Sequence, residues 1–532
     1  MTTLDTSLDS ILVQLGDFGK YQSFMFGLVC LGVILHSGVH VAFVFTAMDL
    51  EYRCAIPGCD TIKPQFEPPW IKNAIPYTED GPSKCTRYVA NNATSFNNCS
   101  KDSDFVTLVE RCDSFVYKTE EYSILQEYDL QCDDNLWKLA LVGTINNVGQ
   151  FFGLFISGVI SDRFGRKVVF IMGLVVCGIC GLIRTVAPTY IWFLVLEFLD
   201  AIFGAGSYVC GFIIGVELVG PKRRVLTGTL ISSCYAVGEV FAAGAGWISQ
   251  AWKPTIYILY GPTLLLIVYF WIIPESIRWN LSKGKFEEAK ETLRQAAKVN
   301  GKTISEDALE KLTMVDQNES KNSFFEIFKS TTLVLRLINC CFCWITCAFL
   351  FYGLTLNSVS LAGNSYLDFI FTSLVEIPAY FACIYVVDKL GRKWSLSGSF
   401  FLTGVACLVF LFIPKDSHTG SLVVYLVGKF GATMAFTVTY VITSELFPTP
   451  LRHSMMGACS TFGRIGSMVA PQTPLLEQIW NPLPILMFTT MSVIAGLLTL
   501  LFPETLNITL PDTIEEAVNI GRSKRNVPKE QQ

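Results

Sequence analysis

Asp162-Arg163-Phe164-Gly165-Arg166-Lys167 recurs as Asp388-Lys389-Leu390-Gly391-Arg392-Lys393. Two further marks repeat in the same order. Glu217-x₆-Arg224 returns as Glu445-x₆-Arg452, and Pro274-Glu275-Ser276 as Pro503-Glu504-Thr505. All three return after nearly the same interval along the chain. Three ordered repeats imply an internal duplication. In a membrane chain, two homologous halves predict a transporter that rocks one half against the other around a central site.

Composition supplies the membrane. Of 532 residues, 51% are hydrophobic and 16% charged, and the mean hydropathy is +0.44. Soluble domains carry roughly 25% charged residues. The apolar segments are long enough to cross a hydrocarbon core of ~30 Å as helices. The expected spans are 22–47, 136–160, 168–187, 190–214, 225–248, 255–273, 334–356, 366–387, 394–413, 421–442, 454–475 and 482–502. Residues 1–21 would precede the first six-helix half (22–273). A linker (274–333), a second half (334–502) and a tail (503–532) would follow. The fold class expected is an all-α membrane protein of twelve transmembrane helices. The acids Asp5, Asp9 and Asp17 ahead of Lys20 argue against a cleaved signal.

Alternate short loops concentrate Arg and Lys: Arg163, Arg166 and Lys167; Lys222, Arg223 and Arg224; Lys389, Arg392 and Lys393; Arg452. The opposite loops carry only Lys253 and Lys415 as exceptions. The positive-inside rule then places these clusters, and both termini, in the cytoplasm of a multi-pass protein. The loop 48–135 lies outside. It holds Cys54, Cys59, Cys85, Cys99, Cys112 and Cys132, with sequons at Asn92 and Asn98. Six cysteines in one outer loop predict disulfides, with fifteen connectivities open. Sequons at Asn280, Asn318 and Asn507 would be cytoplasmic and unused. Within the linker, Lys285–Val299 reads as a helix with Phe286, Leu293 and Ala297 on one face and Glu287–Lys290 and Glu291–Arg294 pairs.

A positive-inside anchor accounts for the cations of the doubled motif but not for Asp162, Asp388 or the fixed glycine. An Asp at a helix end pairs with an adjacent Arg and with a helix N-terminus. Asp162 with Arg166, Asp388 with Arg392, Glu217 with Arg224 and Glu445 with Arg452 are therefore expected as conformational locks.

Ser161–Lys167, both Glu-x₆-Arg runs and Pro274-Glu-Ser-Ile-Arg-Trp279 resemble signatures of the major facilitator superfamily. The large first loop, Asn146-Asn-Val-Gly-Gln150, Val375-Glu-Ile-Pro-Ala-Tyr380, Gly428-Lys-Phe-Gly431 and Ser444-Glu-Leu-Phe-Pro-Thr-Pro-Leu-Arg452 narrow the resemblance. Together they are similar to the organic cation, organic anion and carnitine transporters, solute carrier family 22. The likeness runs from about Phe18 to Glu516. Two departures stand out. Asp49-Leu-Glu-Tyr-Arg-Cys54 replaces a usual Pro-x-His-x-Cys stretch, and Glu239 replaces a more usual neutral residue. On these grounds the chain looks nearer to insect-type members.

Four ionisable residues stand out at depth: Glu239, Glu376, Lys429 and Arg464. Each costs at least ~2.5 kcal/mol at the bilayer centre, so each faces a cavity or a partner. Arg464 lies twelve residues beyond Arg452, about 18 Å along a helix. The resemblance implies that Arg here goes with anion and carnitine members and Asp with cation members. A guanidinium grips a carboxylate through two parallel hydrogen bonds. Glu376 would meet an ammonium group or pair with Lys429; Arg464 would meet substrate or pair with Glu239 or Glu376. Tyr235, Phe351, Tyr352, Phe436 and Tyr440 sit at positions resembling family cavity residues. None of the four charges is repeated at the interval of the doubled motifs, so the substrate should be read where the halves differ.

Cys177-x-x-Cys180 and Cys340-x-x-Cys343 lie in apolar spans and read as packing residues. Gly149-x₃-Gly153 reads as a helix-packing contact. With no phosphate-binding loop, His-Glu-x-x-His or Gly-x-Ser-x-Gly motif, no enzyme, cofactor, metal or nucleic-acid partner is expected. The expectation is a plasma-membrane carrier of small organic ions, carnitine-like zwitterions favoured, with the lipid bilayer as surroundings and sodium or proton as an open question. Alternatives are a polyspecific organic cation facilitator, a sugar carrier or a transport-dead surface receptor.

Overall fold

The structure, a computed structural model, describes all residues except 1–2, 61–62, 79–80, 91–98, 100–104, 305, 313–329, 362, 415–416, 449–450, 509, 512 and 522–532. Asn92, Asn98 and Asn318 lie outside the described residues.

Among the described residues, ten helices are long and apolar enough to cross a membrane. Spans 1–6 are Lys20–Thr46, Asp133–Phe164, Arg166–Arg184, Tyr190–Glu217, Pro221–Ser249 and Trp252–Ile272. Spans 7–10 are Thr331–Asn357, Ser365–Leu390, Arg392–Phe410 and His418–Leu446. Span 12 is the shorter apolar helix Leu483–Thr499. Span 11, Arg452–Val469, carries His453, Ser454, Ser460, Arg464 and Ser467, and these make it less apolar than the other spans. Buried packing holds it instead. Gly463 lies close against Trp344 of span 7, and Gly466 against Ile345 and Phe349, where a Cβ has no room.

The duplication appears in the packing. Gly238 of span 5 meets Ile34 and Ser37 of span 1, as Gly466 meets span 7. The two glycines are separated by the same interval as Glu217 and Glu445. Gly149 and Gly153 seat span 2 on Phe198, Ala201, Ile202 and Ala205 of span 4. Each half has its own apolar core. A third core joins the halves: Val39–Phe45, Ala242, Trp252 and Tyr260 pack with Tyr366 and Phe369. Phe45 stacks on Tyr366 at 5.6 Å and meets Phe369 edge-on at 5.1 Å. Thr144 donates to the Met468 carbonyl, and Gln472 to Thr144. These contacts lie toward the end of the bundle that carries the cysteine-rich domain.

That domain is small and stapled. Cys54 pairs with Cys112, Cys59 with Cys99 and Cys85 with Cys132. Two-stranded ladders join Tyr52–Cys54 to Phe115–Tyr117 and Thr86–Ala90 to Phe105–Arg111. Arg53, part of the departure noted above, organises the centre. Its guanidinium grips both Asp60 carboxylate oxygens at 2.7 and 2.9 Å and donates to the Cys54, Gln65 and Phe66 carbonyls. All five N–H groups are used, which a Lys cannot reproduce.

At the other end, the linker forms helices Ile277–Ser282, Phe286–Asn300 and Glu306–Lys311. Ala289, Leu293, Ala296 and Ala297 are its buried face. Phe286 is only partly buried, because it opens the helix at the edge of that face. Lys290 pairs with Glu287 at 3.2 Å. The N-terminal segment is itself helical, Thr3–Gln14, and inserts Leu8, Ile11 and Leu12 into the same core.

Candidate functional site

The doubled motifs resolve into matching clusters at the linker end, which keep the expected Asp–Arg pairs and add partners that were not expected. Gly165 and Gly391 adopt φ of 106° and 88°, a region glycine enters without cost. The chain turns there into spans 3 and 9. The acid at each helix N-terminus comes from the third repeat. Glu275 accepts from the backbone N–H groups of Arg166 and Lys167, and Glu504 from those of Arg392 and Lys393. A Cβ on either glycine would strike that carboxylate. Asp162 and Asp388 make the expected pairs across the glycine turn, with Arg166 and Arg392 at 3.1 and 3.7 Å, and both are largely exposed.

Among the described residues, Glu217 and Glu445 take partners from outside their own Glu-x₆-Arg runs. Glu445 takes Arg392 at 3.1 Å and the Thr505 hydroxyl at 2.5 Å. Glu217 accepts from Ser276, the residue equivalent to Thr505. Arg224 turns instead to Asp9 of the N-terminal helix, which also holds Arg278 at 2.8 Å. The reason is local. The Pro221–Arg223 turn and the docked N-terminal helix bring a buried carboxylate to Arg224 that no repeat pattern announces.

Deep in the bundle, Glu376 and Lys429 form an ion pair at 2.8 Å with both side chains fully buried. Lys429 also donates to the Phe351 carbonyl and Thr355 hydroxyl, and lies 3.5 Å from the Phe351 ring centre. Of the two readings for Glu376, the structure places it on Lys429. Glu239, 1% exposed, lies within electrostatic reach of Glu376 and Lys429 of the second half. Its Oε2 is buried without a hydrogen-bond partner. Arg464 is partly buried and lies within electrostatic reach of the Tyr352 hydroxyl. Among the described residues, no ion pair joins it to Glu239 or Glu376.

Rings connect these charges. Tyr208 and Tyr235 meet at 5.3 Å, and the Tyr235 hydroxyl lies 2.5 Å from His40 Nδ1. The His40 ring meets Tyr352 edge-on at 6.0 Å. Beyond it, Phe351 faces Tyr352 and Phe436, and Phe436 meets Tyr440 at 5.4 Å. The five aromatic candidates thus belong to one belt spanning both halves. His36, His40 and Tyr208 extend it, and nothing in their sequence pattern marked them.

The four charges fall at positions that the duplication relates, although, as expected, no like charge is repeated. Gln150 precedes Glu376 by the interval that separates Asp162 from Asp388. Asp200 precedes Lys429 by the interval that separates Pro274 from Pro503. Glu239 and Arg464 come from spans 5 and 11, which the Gly238 and Gly466 contacts relate. The positions are repeated; their charges are not.

The sequence reading also passed over a charged cluster in the first half. Arg184 pairs with Glu197 and, at 3.3 Å, with Asp200, and all three are buried. Cys177, one of the cysteines read as packing residues, has its Sγ 2.6 Å from Asp200 Oδ1.

Comparison with known proteins agrees with this architecture. A family profile described as "Sugar (and other) transporter" matches residues 88–516. Solute carrier family 22 member 1 from Bos taurus is 32% identical, over 98% of this chain and 94% of its own length. Solute carrier family 22 member 2 from Homo sapiens is 31% identical, over 99% and 98%. The organic cation transporter protein of Drosophila melanogaster is 30% identical, over 98% and 96%. Among solved structures, a partially occluded inward-open conformation of the E. coli xylose transporter XylE superposes with a TM-score of 0.60. The match covers 92% of this chain and 100% of that one at 15% identity, a likeness of fold. Profile, fold and full-length relatives agree: the chain is a major facilitator protein of the "Sugar (and other) transporter" family and belongs within it to solute carrier family 22.

Proposed function

We propose that this protein carries small organic ions across the plasma membrane by alternating access, with amphipathic zwitterions of the carnitine type as favoured substrates. The observation that carries the reading is the pairing pattern of the central charges. Glu376 and Lys429 neutralise one another. That leaves Glu239 with an unpartnered Oε2 and, among the described residues, Arg464 in no ion pair and near the Tyr352 hydroxyl. Tyr352 lies within electrostatic reach of both. A carboxylate on Arg464 and a quaternary ammonium near Glu239 and the aromatic belt would satisfy both charges. The remaining wall is ring surface, which discriminates little among apolar groups.

The cysteine-rich domain is read as extracellular and the linker and termini as cytoplasmic. The contacts between halves at the cysteine-rich end then describe a carrier closed to the outside. Asp162, Arg166, Glu217, Asp388, Arg392 and Glu445 act as releasable contacts at the cytoplasmic end, with Arg224 holding the N-terminal helix.

A second reading, an organic cation facilitator, is favoured by the name of the fly relative and by the free Glu239 carboxylate oxygen. Uptake of labelled carnitine, a simple quaternary ammonium and an aryl carboxylate, each with and without sodium, separates the two. The proposal expects the zwitterion to be carried best. Uptake confined to the quaternary ammonium would favour the facilitator.

A further inference from the structure

Two buried carboxylates share one cation in the first half. Arg184, Glu197 and Asp200 are each no more than 2% exposed. Glu197 accepts from Arg184 and from Asn146 at 2.8 Å. Asp200 accepts from the Tyr260 hydroxyl at 2.6 Å, with the Cys177 thiol on its other oxygen and Arg184 beside it. Every carboxylate oxygen already has a hydrogen-bond partner, so a metal ion would have to displace those partners. With both acids ionised, the cluster would hold a net negative charge out of water, which is costly. In the second half the equivalent position is a fully paired Lys429.

A small cavity opens beside the cluster, lined by His36, His40, Asn146, Gln150, Cys177 and Asp200. It has room for about one water. Two buried ring nitrogens, His36 Nδ1 and His40 Nε2, have no hydrogen-bond partner. The titratable and charged groups facing the cluster are His36 and His40 from span 1, Cys177, Cys180 and Arg184 from span 3, Tyr260 from span 6 and Tyr128 from the loop domain. Span 2 contributes only the neutral Asn146 and Gln150.

We infer that Glu197 and Asp200, with the adjoining cavity, form a proton-binding site separate from the organic-ion site. One carboxylate takes up a proton delivered from solvent by way of the cavity, becomes a neutral acid and leaves Arg184 paired with the other. His40 links the cavity to the belt, since it bonds Tyr235, touches Tyr352 and lies within electrostatic reach of Arg464. A proton here would thus be felt at the substrate site.

The test needs no substrate. Infrared difference spectra of the full chain in lipid vesicles are recorded across a pH series. The expected result is a carboxylic-acid carbonyl band that grows as pH falls and is lost in both Asp200→Asn and Glu197→Gln, or in one of them. The S–H stretch of Cys177, identified by its loss in Cys177→Ala, should shift over the same pH range. That readout leaves both acids in place, so it serves even where the carboxylate variants fold poorly. A Cys177 stretch that does not move with pH would overturn the site, as would a carbonyl band unchanged in both variants. A protein that passes this test yet carries none of the organic ions would contradict the transport reading alone.

Discussion

Single side chains divide into those that hold the fold and those left with unmet demands. Lys429 has its needs met by Glu376, Thr355 and a backbone carbonyl. Removing it would expose a buried carboxylate, so Lys429→Ala would report on folding more than on binding. Glu239 differs, because one oxygen is unpartnered. Glu239→Gln keeps the shape and removes the charge. Uptake of zwitterion and quaternary ammonium should fall about tenfold, on the order of 1.4 kcal/mol, while an aryl carboxylate is spared. Equal losses for all three, measured at matched surface abundance, would assign Glu239 to structure instead. Glu239 and Arg464 were legible in the sequence because an ionisable residue in an apolar run is conspicuous. Arg184 was not, since it sits near a span end where a charge passes for an interface residue, and no spacing joins it to Glu197 and Asp200 of the next span. Only packing shows Arg184 to be fully buried.

Helices and turns carry the repeated chemistry. The doubled glycines were read correctly as fixed points, but their partners were not, because Glu275 and Glu504 lie far along the chain from the turns they cap. A helix N-terminus accepts any carboxylate that reaches it, and sequence spacing does not say which one does. Gly391→Ala forces a side chain into a left-handed turn and against Glu504. It should destabilise the protein by about 1–2 kcal/mol, seen as a lower thermal midpoint in detergent. An unchanged midpoint would mean that the turn relaxes freely. The N-terminal helix was missed as an element, since the acids among its apolar residues hid its inward face. Its anchor is Asp9 between Arg224 and Arg278. Asp9→Asn should weaken that anchor by about 1–3 kcal/mol. Faster backbone hydrogen exchange along the Thr3–Gln14 helix is the expected sign, and unaltered exchange would show that the apolar contacts suffice.

At the scale of the whole molecule, duplication was the most legible feature and its chemical content the least. Three repeated motifs predicted two like halves, and the Gly238 and Gly466 contacts show like packing at matching positions. Span 11 was expected among the apolar segments although its polar residues weaken that signal. Asymmetry was harder to read, because Asp200 and Lys429 fall at matching positions with opposite charge and no pattern of identity joins them. If the linker-end clusters are releasable contacts, Asp162→Asn should slow turnover more than it weakens substrate binding. Asp162 is mostly exposed, so stability should hardly change. A loss of affinity at normal turnover would remove it from the conformational cycle.

The central claim is that Arg464 receives the substrate's carboxylate within a belt that also accepts an ammonium group. It is tested most directly by uptake of labelled carnitine into cells expressing the native chain or Arg464→Ala at equal surface abundance. The expected result is saturable uptake by the native protein and a loss of roughly tenfold or more in the variant, as removal of a charge-assisted pair predicts. Carnitine uptake that survives Arg464→Ala undiminished would contradict it.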